Sequence, residues 1–277
     1  MKKNRIVTWM LAAALLLGTC TASAQFVKDR GSDYLRIGVA GFTFRAFDID
    51  RTLDMLKRMG VKYMSVKDFH LPMNSTPEQI AAFKAKLAAA GVDGYTLGPI
   101  YMNSKADVDR AFDYVKRYGA DMFIGVPTYE LLPYVEEKIK EYDVRMAIHT
   151  HGPDIAHFPD AADVMAHVAD LDPRIGICLD LGHTARFGAS CVKDLKKYRK
   201  RIFDIHIKDE TLASKEGQTC EMGRGVMDIP AIVRTLHKIG YRGVCSLEFE
   251  KDGPDPLSGV AESIGYLRGV CDAVGYR

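Results

Sequence analysis

Ile175-Gly176-Ile177-Cys178-Leu179-Asp180-Leu181-Gly182-His183 is a short apolar run that ends in a carboxylate and a histidine. The same construction recurs along the chain. Candidate strands begin near Arg36, Lys62, Gly94, Asp121, Val144, Ile175, Ile202 and Val244, with amphipathic helical patterns between them. Thr76-Pro77-Glu78-Gln79 supplies an N-cap, a proline at the first helical position and a capping-box glutamine. Ser104-Lys105-Ala106-Asp107 and Asp228-Ile229-Pro230 also read as helix starts. Gly60, Gly91, Gly119 and Gly240 each follow a helical run and precede a strand, as glycines just past a helix do. Strand starts recur roughly every 30 residues, eight times, with no Pro/Ser-rich break. This predicts an α/β fold, a single-domain (β/α)8 TIM barrel. An open doubly wound sheet is the competitor, but Gly38-Val39-Ala40-Gly41-Phe42 does not supply its GxGxxG fingerprint.

In such a barrel the polar groups at strand C-termini converge on one mouth. The fifth strand ends Ala147-Ile148-His149-Thr150-His151-Gly152, and the sixth ends at Asp180 and His183. The seventh ends Ile205-His206-Ile207-Lys208-Asp209 and the eighth Ser246-Leu247-Glu248-Phe249-Glu250. His149, Asp180, His206 and Glu248 would form a ring of two imidazoles and two carboxylates. That mixed set suits one divalent ion, Mn²⁺ first, with Mg²⁺, Co²⁺ or Zn²⁺ as alternatives. Singly, each has a plain reading as a satisfied polar group or a helix cap; four in register point to a site. On the second strand Lys67 and His70 are further site candidates, with Lys67 inward by parity with Ser65. Gly223-Arg224-Gly225 carries a weak anion-cradle signal, against the competing reading of a turn into the next helix. His167 and His237 read as helical surface or packing residues, and His157 as loop.

The chain has 277 residues, 47% hydrophobic, with 38 Lys+Arg against 36 Asp+Glu. This is soluble-globular composition; it excludes a disordered tail and a polytopic membrane protein and argues against a nucleic-acid partner. Residues 1–24 form a basic start, an apolar run from Ile6 to Leu17 and a small-residue end at Ala22-Ser23-Ala24, the pattern of a secretory signal peptide. The apolar run is short for a membrane span. Loss of these 24 residues removes Lys2, Lys3 and Arg5 and leaves 253 residues (25–277) with a formal charge of −1. Leu17-Gly18-Thr19-Cys20 only loosely fits a lipoprotein box, so a lipid anchor at Cys20 is the alternative to plain export to the periplasm or beyond. The other five cysteines, at 178, 191, 220, 245 and 271, have no CxxC spacing and read as buried thiols, with one bridge at most.

The runs Gly176-x-Cys-Leu-Asp180-Leu-Gly-His183, His206-x-Lys208-Asp209 and Gly243-x-x-x-Leu-Glu248 together resemble the xylose-isomerase-like TIM barrels, often labelled sugar phosphate isomerase/epimerase. The resemblance implies that Asp180, His206 and Glu248 ligate a divalent metal, often manganese. It also implies that His183 lines the site and that a proton moves next to the carbonyl of a small carbohydrate. Family members commonly carry Glu-Asn-His where this chain has His149-Thr150-His151. Histidine still ligates through its neutral ring, but one anion is lost from the ligand set. One of the two bases of a paired-glutamate epimerase is lost with it. The expected acid/base groups are therefore Glu248, His151 and His149, and the expected substrate contacts Lys67, His70, His183, Lys208 and Arg224.

Export moves the expected substrate from sugar phosphates toward free or oxidised glycosides. Besides an isomerase/epimerase, the residues therefore allow a 3-keto-glycoside lyase or hydratase, in which loss of the proton beside the keto group expels the anomeric substituent. A non-catalytic sugar-binding barrel is the alternative of another class. The abasic-site nucleases of related fold use three zinc ions; the extra Asp-x-His pair expected after the seventh strand is missing here, where Cys220-Glu221-Met222-Gly223 stands.

Overall fold

The computed structural model describes residues 35–276. The proposed signal segment and Cys20 lie outside them. The order is β1 (Arg36–Ala40), α1 (Ile49–Met59), β2 (Tyr63–Val66), α2 (Pro77–Ala90), β3 (Asp93–Met102), α3 (Lys105–Tyr118), β4 (Met122–Pro127) and α4 (Leu132–Tyr142). β5 (Arg145–His149), α5 (Ala161–Val168), β6 (Ile175–Asp180), α6 (Leu181–Arg186), α7 (Cys191–Lys197) and β7 (Ile202–Ile207) follow. A hairpin of β8 (Asp209–Glu210) and β9 (Thr219–Cys220) then precedes α8 (Ile229–Lys238), β10 (Val244–Leu247) and α9 (Leu257–Ala273). The eight longer strands close into a parallel barrel in which β10 pairs with β1 and β7. Every expected strand start lies within one residue of its place. The hairpin was not foreseen, because two-residue strands leave no periodicity to read.

Local chemistry sets the helix ends. The Thr76 side chain accepts from Gln79 N while the Gln79 side chain accepts from Thr76 N, the reciprocal cap expected from sequence. Ser104 and Asp228 cap α3 and α8. α1, α2 and α3 each end on a glycine in the left-handed conformation, Gly60, Gly91 and Gly119. The main core lies between sheet and helices, and a small cluster of Met122, Ile124, Ala147 and Cys178 fills part of the barrel interior. All five described cysteines are free and buried, so they form no bridge. Among the described residues no helix is long and apolar enough to cross a membrane.

Register places the chemistry. Asp180 is the Cα partner of His206, His206 of Ser246, and His149 of Cys178. Because strand side chains alternate with period 2, His149, Asp180 and His206 face the interior at one depth. Glu248 follows the last residue of β10 and is tied to the neighbouring strand by its N–H, which donates to Ile207 O at 3.0 Å.

Candidate metal centre

Four side chains from adjacent strands meet at the C-terminal mouth. One donor atom from each of His149, Asp180, His206 and Glu248 lies within 4.8 Å of the others, and all four residues are buried. His149 Nε2 is 3.0 Å from His206 Nδ1 and 3.7 Å from Asp180 Oδ2, while His206 Nδ1 is 3.4 Å from Glu248 Oε1. Ligands about 2.0–2.2 Å from one ion stand about 3.0–3.5 Å apart; the His149–His206 and His206–Glu248 pairs lie in that range, and Asp180 Oδ2 stands slightly wider at 3.7 and 4.0 Å from the two imidazoles. Asp180 divides its carboxylate between two tasks. Oδ1 accepts from His183 N at 2.8 Å and caps α6, while buried Oδ2 accepts no hydrogen bond. That oxygen faces two imidazole nitrogens, at 3.7 and 4.0 Å, and the Lys208 ammonium at 3.1 Å; a divalent ion held there would take the side of the oxygen that meets the imidazoles.

The strand ends carrying these groups are fixed by neighbouring hydroxyls. Thr150 Oγ1 accepts from Asp180 N at 3.0 Å, and the Thr184 hydroxyl donates to Asp180 O at 2.7 Å. On the other side of the barrel, Thr43 Oγ1 accepts from Phe249 N at 3.0 Å and holds the segment bearing Glu248 and Glu250.

Lys208 takes a place that sequence did not anticipate. Its side chain is fully buried, with Nζ 2.9 Å from Glu248 Oε2, 3.1 Å from Asp180 Oδ2 and bonded to Glu250. A candidate substrate contact is thus a resident cation among the carboxylates of Asp180, Glu248 and Glu250. Gly182 makes this approach possible: a Cβ there would stand 2.2 Å from Lys208 Cγ. Burial opposes ionisation of Glu248, but the Lys208 ammonium and His206 outweigh it and hold the carboxyl well below the usual range. Burial pushes Asp180 up to about 7, with Lys208 opposing. His149 is driven well below the ordinary histidine range by burial and by its histidine neighbours. His206 goes the other way: burial lowers it, but Glu248, Asp204 and Asp180 raise it more.

His151 stands beside this cluster, its ring 4.6 Å from that of His149. Its Nε2 is 2.9 Å from the hydroxyl of Tyr101, an exposed residue at the end of β3. Burial lowers the His151 pKa to about 4, so the ring is neutral at physiological pH. Tyr101 and Glu250 are the site residues that sequence reading missed. Tyr101 sits in the C-terminal half of β3, which offers no histidine or carboxylate, and Glu250 lies two residues beyond Glu248 with no spacing that ties it to the site.

The remaining candidates separate. His183 joins the mouth, its Nε2 4.0 Å from Asp180 Oδ2 and its Nδ1 3.6 Å from Asp154. Lys67 is mostly buried, donates to Pro99 O at 2.7 Å and feels the charge of Glu248. His70 corrects the expectation of a substrate contact: its Nε2 meets the Thr52 hydroxyl on α1 at 3.3 Å, and its ring is buried there. Four residues past the end of β2, it has already turned back toward α1. Arg224 is likewise corrected, since its exposed guanidinium makes a two-pronged pair with Glu262 on α9, both bonds 2.7 Å. The anion cradled by the Gly223–Gly225 turn is the protein's own Asp209, which accepts from Gly223 N, Gly225 N and Met227 N. His157, His167 and Tyr129 form a separate ring cluster, and His237 packs against Tyr276.

A family model described as "Xylose isomerase-like TIM barrel" matches residues 53–270, most of the chain. The chain belongs to the xylose isomerase-like TIM barrel family. Among curated proteins it is 29% identical over 164 residues to the rhizopine catabolism protein MocC of Rhizobium meliloti, a match covering 50% of each chain. The match therefore spans about half of that relative's length. The fold is similar to that of 3-keto-D-glucoside 4-epimerase YcjR from E. coli, with a TM-score of 0.69 and 17% identity, covering 85% of this chain and 99% of the other. It is also similar to an IOLI protein with a bound zinc atom, with a TM-score of 0.69 and 17% identity over 87% and 98% of the two chains.

Proposed function

We propose that this barrel is a divalent-metal-dependent enzyme of the isomerase/epimerase type, removing a proton α to the carbonyl of a sugar or keto-sugar. The observation that carries the reading is the ring of His149, Asp180, His206 and Glu248 around one point, with neutral His151 beside it. The epimerase activity named for YcjR, the zinc in the IOLI protein and the catabolic role named for MocC support it. Bound to the four ligands, a divalent ion such as Mn²⁺ would polarise the carbonyl and stabilise the charge developing on its oxygen. His151 Nε2 would accept the proton once substrate replaces the Tyr101 hydroxyl as the partner of that nitrogen, and the displaced Tyr101 hydroxyl beside it would offer a proton in return. Glu248 serves better as ligand than as base, because Lys208 and His206 hold it ionised and weakly basic. His149, 3.0 Å from His206 Nδ1, is likewise placed as a ligand.

The same geometry favours a second reading. His151 and Tyr101 form one acid/base pair on one side of the ligand ring, which suffices for β-elimination from a 3-keto-glycoside, whereas epimerisation requires proton transfer on two faces. We infer export from residues 1–24, and free or oxidised glycosides fit that better than sugar phosphates. Incubation with a 3-keto-glucoside in D2O under Mn²⁺, Mg²⁺, Co²⁺ and Zn²⁺ separates the cases. Deuterium uptake without bond cleavage identifies the epimerase, and aglycone release without nucleotide cofactor the lyase. If no metal binds and chelation changes no activity on a sugar panel, the catalytic reading fails. Retained sugar affinity in His206→Ala, with no turnover by wild type, identifies a binding barrel.

A further inference from the structure

The layer of side chains directly beneath the ligands is unusually polar for a barrel interior. Two residues before each ligand, and so on the same face, stand Ala147, Cys178, Asp204 and Ser246. All four are fully buried. Small residues on three of these strands leave room that Tyr95 fills from β3. Gly38 on β1 adds to that room, since a Cβ there would stand 2.8 Å from Ser246 Oγ. The Tyr95 hydroxyl donates to the Asp204 carboxylate, 3.0 and 3.1 Å from its two oxygens, and lies 2.9 Å from Ser246 Oγ. The Cys178 thiol donates to Asp204 Oδ2 at 3.6 Å.

Asp204 has no lysine or arginine among these partners. A buried carboxylate held by neutral donors alone is costly, and such groups persist where something requires the charge. What faces it from above is His206, whose Nε2 is 3.9 Å from Asp204 Oδ2. His206 turns Nδ1 to the other ligands, so Nε2 must carry the hydrogen when Nδ1 ligates. That Nε2 is fully buried and has no hydrogen-bond partner. We propose that Asp204, clamped by Tyr95 and Ser246, is the positioning residue that fixes the tautomer and orientation of His206 for metal ligation. Such a carboxylate behind a ligating imidazole typically contributes about 10–100-fold to metal affinity.

The inference rests on the metal reading above, and its test is a binding measurement rather than an activity. Mn²⁺ and Co²⁺ affinities would be measured by calorimetry or chelator competition on wild type, Asp204→Asn and Tyr95→Phe. Each variant is checked for wild-type circular dichroism and a cooperative melt without metal. The expected result is about 10–100-fold weaker binding in Asp204→Asn and a smaller loss in Tyr95→Phe, with a shifted visible spectrum of the Co²⁺ form. If Asp204→Asn does not fold, Tyr95→Phe carries the test. Wild-type affinity and an unchanged Co²⁺ spectrum in the folded variants would overturn the role of Asp204 and leave the metal centre standing. Absence of metal binding by wild type itself would overturn both.

Discussion

At the scale of single residues, the departure at His149 sets the charge of the centre. Replacing it with glutamate adds an anion to the ligand ring, and His149→Glu is expected to bind Mn²⁺ at least about tenfold more tightly, read by chelator competition. His151 stands outside that ring. His151→Ala is expected to lower kcat by about 10²–10⁴-fold while leaving metal affinity near wild type, a split that a ligand substitution would not give. His70 makes a prediction about stability. Its folded pKa is about 4, below the ordinary value of 6.5, because burial disfavours the charged ring. The unfolded chain therefore binds the extra proton first as pH falls, so stability is complete above about 6.5 and declines toward pH 4. The loss approaches about 3 kcal/mol for a fully buried ring. Melting temperatures of wild type and His70→Gln across pH 7 to 4 check this: the variant should show a shallower decline. The four candidate ligands were legible in sequence because each stands at or just past the C-terminal end of a strand. Tyr101 was not, since its significance lies in a hydrogen bond to a residue 50 positions away.

At the scale of elements, caps and turns were readable wherever one short segment supplies both partners. The Thr76–Gln79 box is such a case. Thr76→Ala should cost about 1 kcal/mol, a fall of about 2–4 °C in Tm for a chain of this size. The turn after β9 behaved differently. Gly223-Arg224-Gly225 has the composition of an anion cradle, but Asp209, 14 residues earlier, already fills it. Its buried carboxylate also accepts from Glu210 N at 2.9 Å and Met227 N at 3.1 Å. Local sequence shows that a turn will form and not which side chain will occupy it. The Lys208 position has the same character. Residues on β6, β10 and the loops beyond them surround its ammonium, and no spacing within one segment announces that.

For the whole molecule, the closed barrel converts four separate strand ends into one charged, buried cluster, and its properties belong to the assembly. His206 is raised by the carboxylates around it and Asp180 by burial, so protons would compete with a metal proposed to bind at the same atoms. Metal affinity should therefore increase from pH 6 to pH 8, with proton release on binding, measurable by titration in buffers of different ionisation heat. Saturating metal should also raise Tm, by the equivalent of about 2.7 kcal/mol at one hundred times Kd, and EDTA should reverse it. The eight-fold β/α alternation, the helix ends, the barrel and the four candidate ligands could all be read along the chain, because hydrophobic period and strand-end position are local properties that closure merely brings together. It took the folded barrel to bury Lys208 among the candidate ligands, to engage His70 and Arg224 elsewhere, and to set Asp204 beneath His206. Those facts depend on which side chains from distant strands meet in a low-dielectric interior, where distance and burial set charge and basicity.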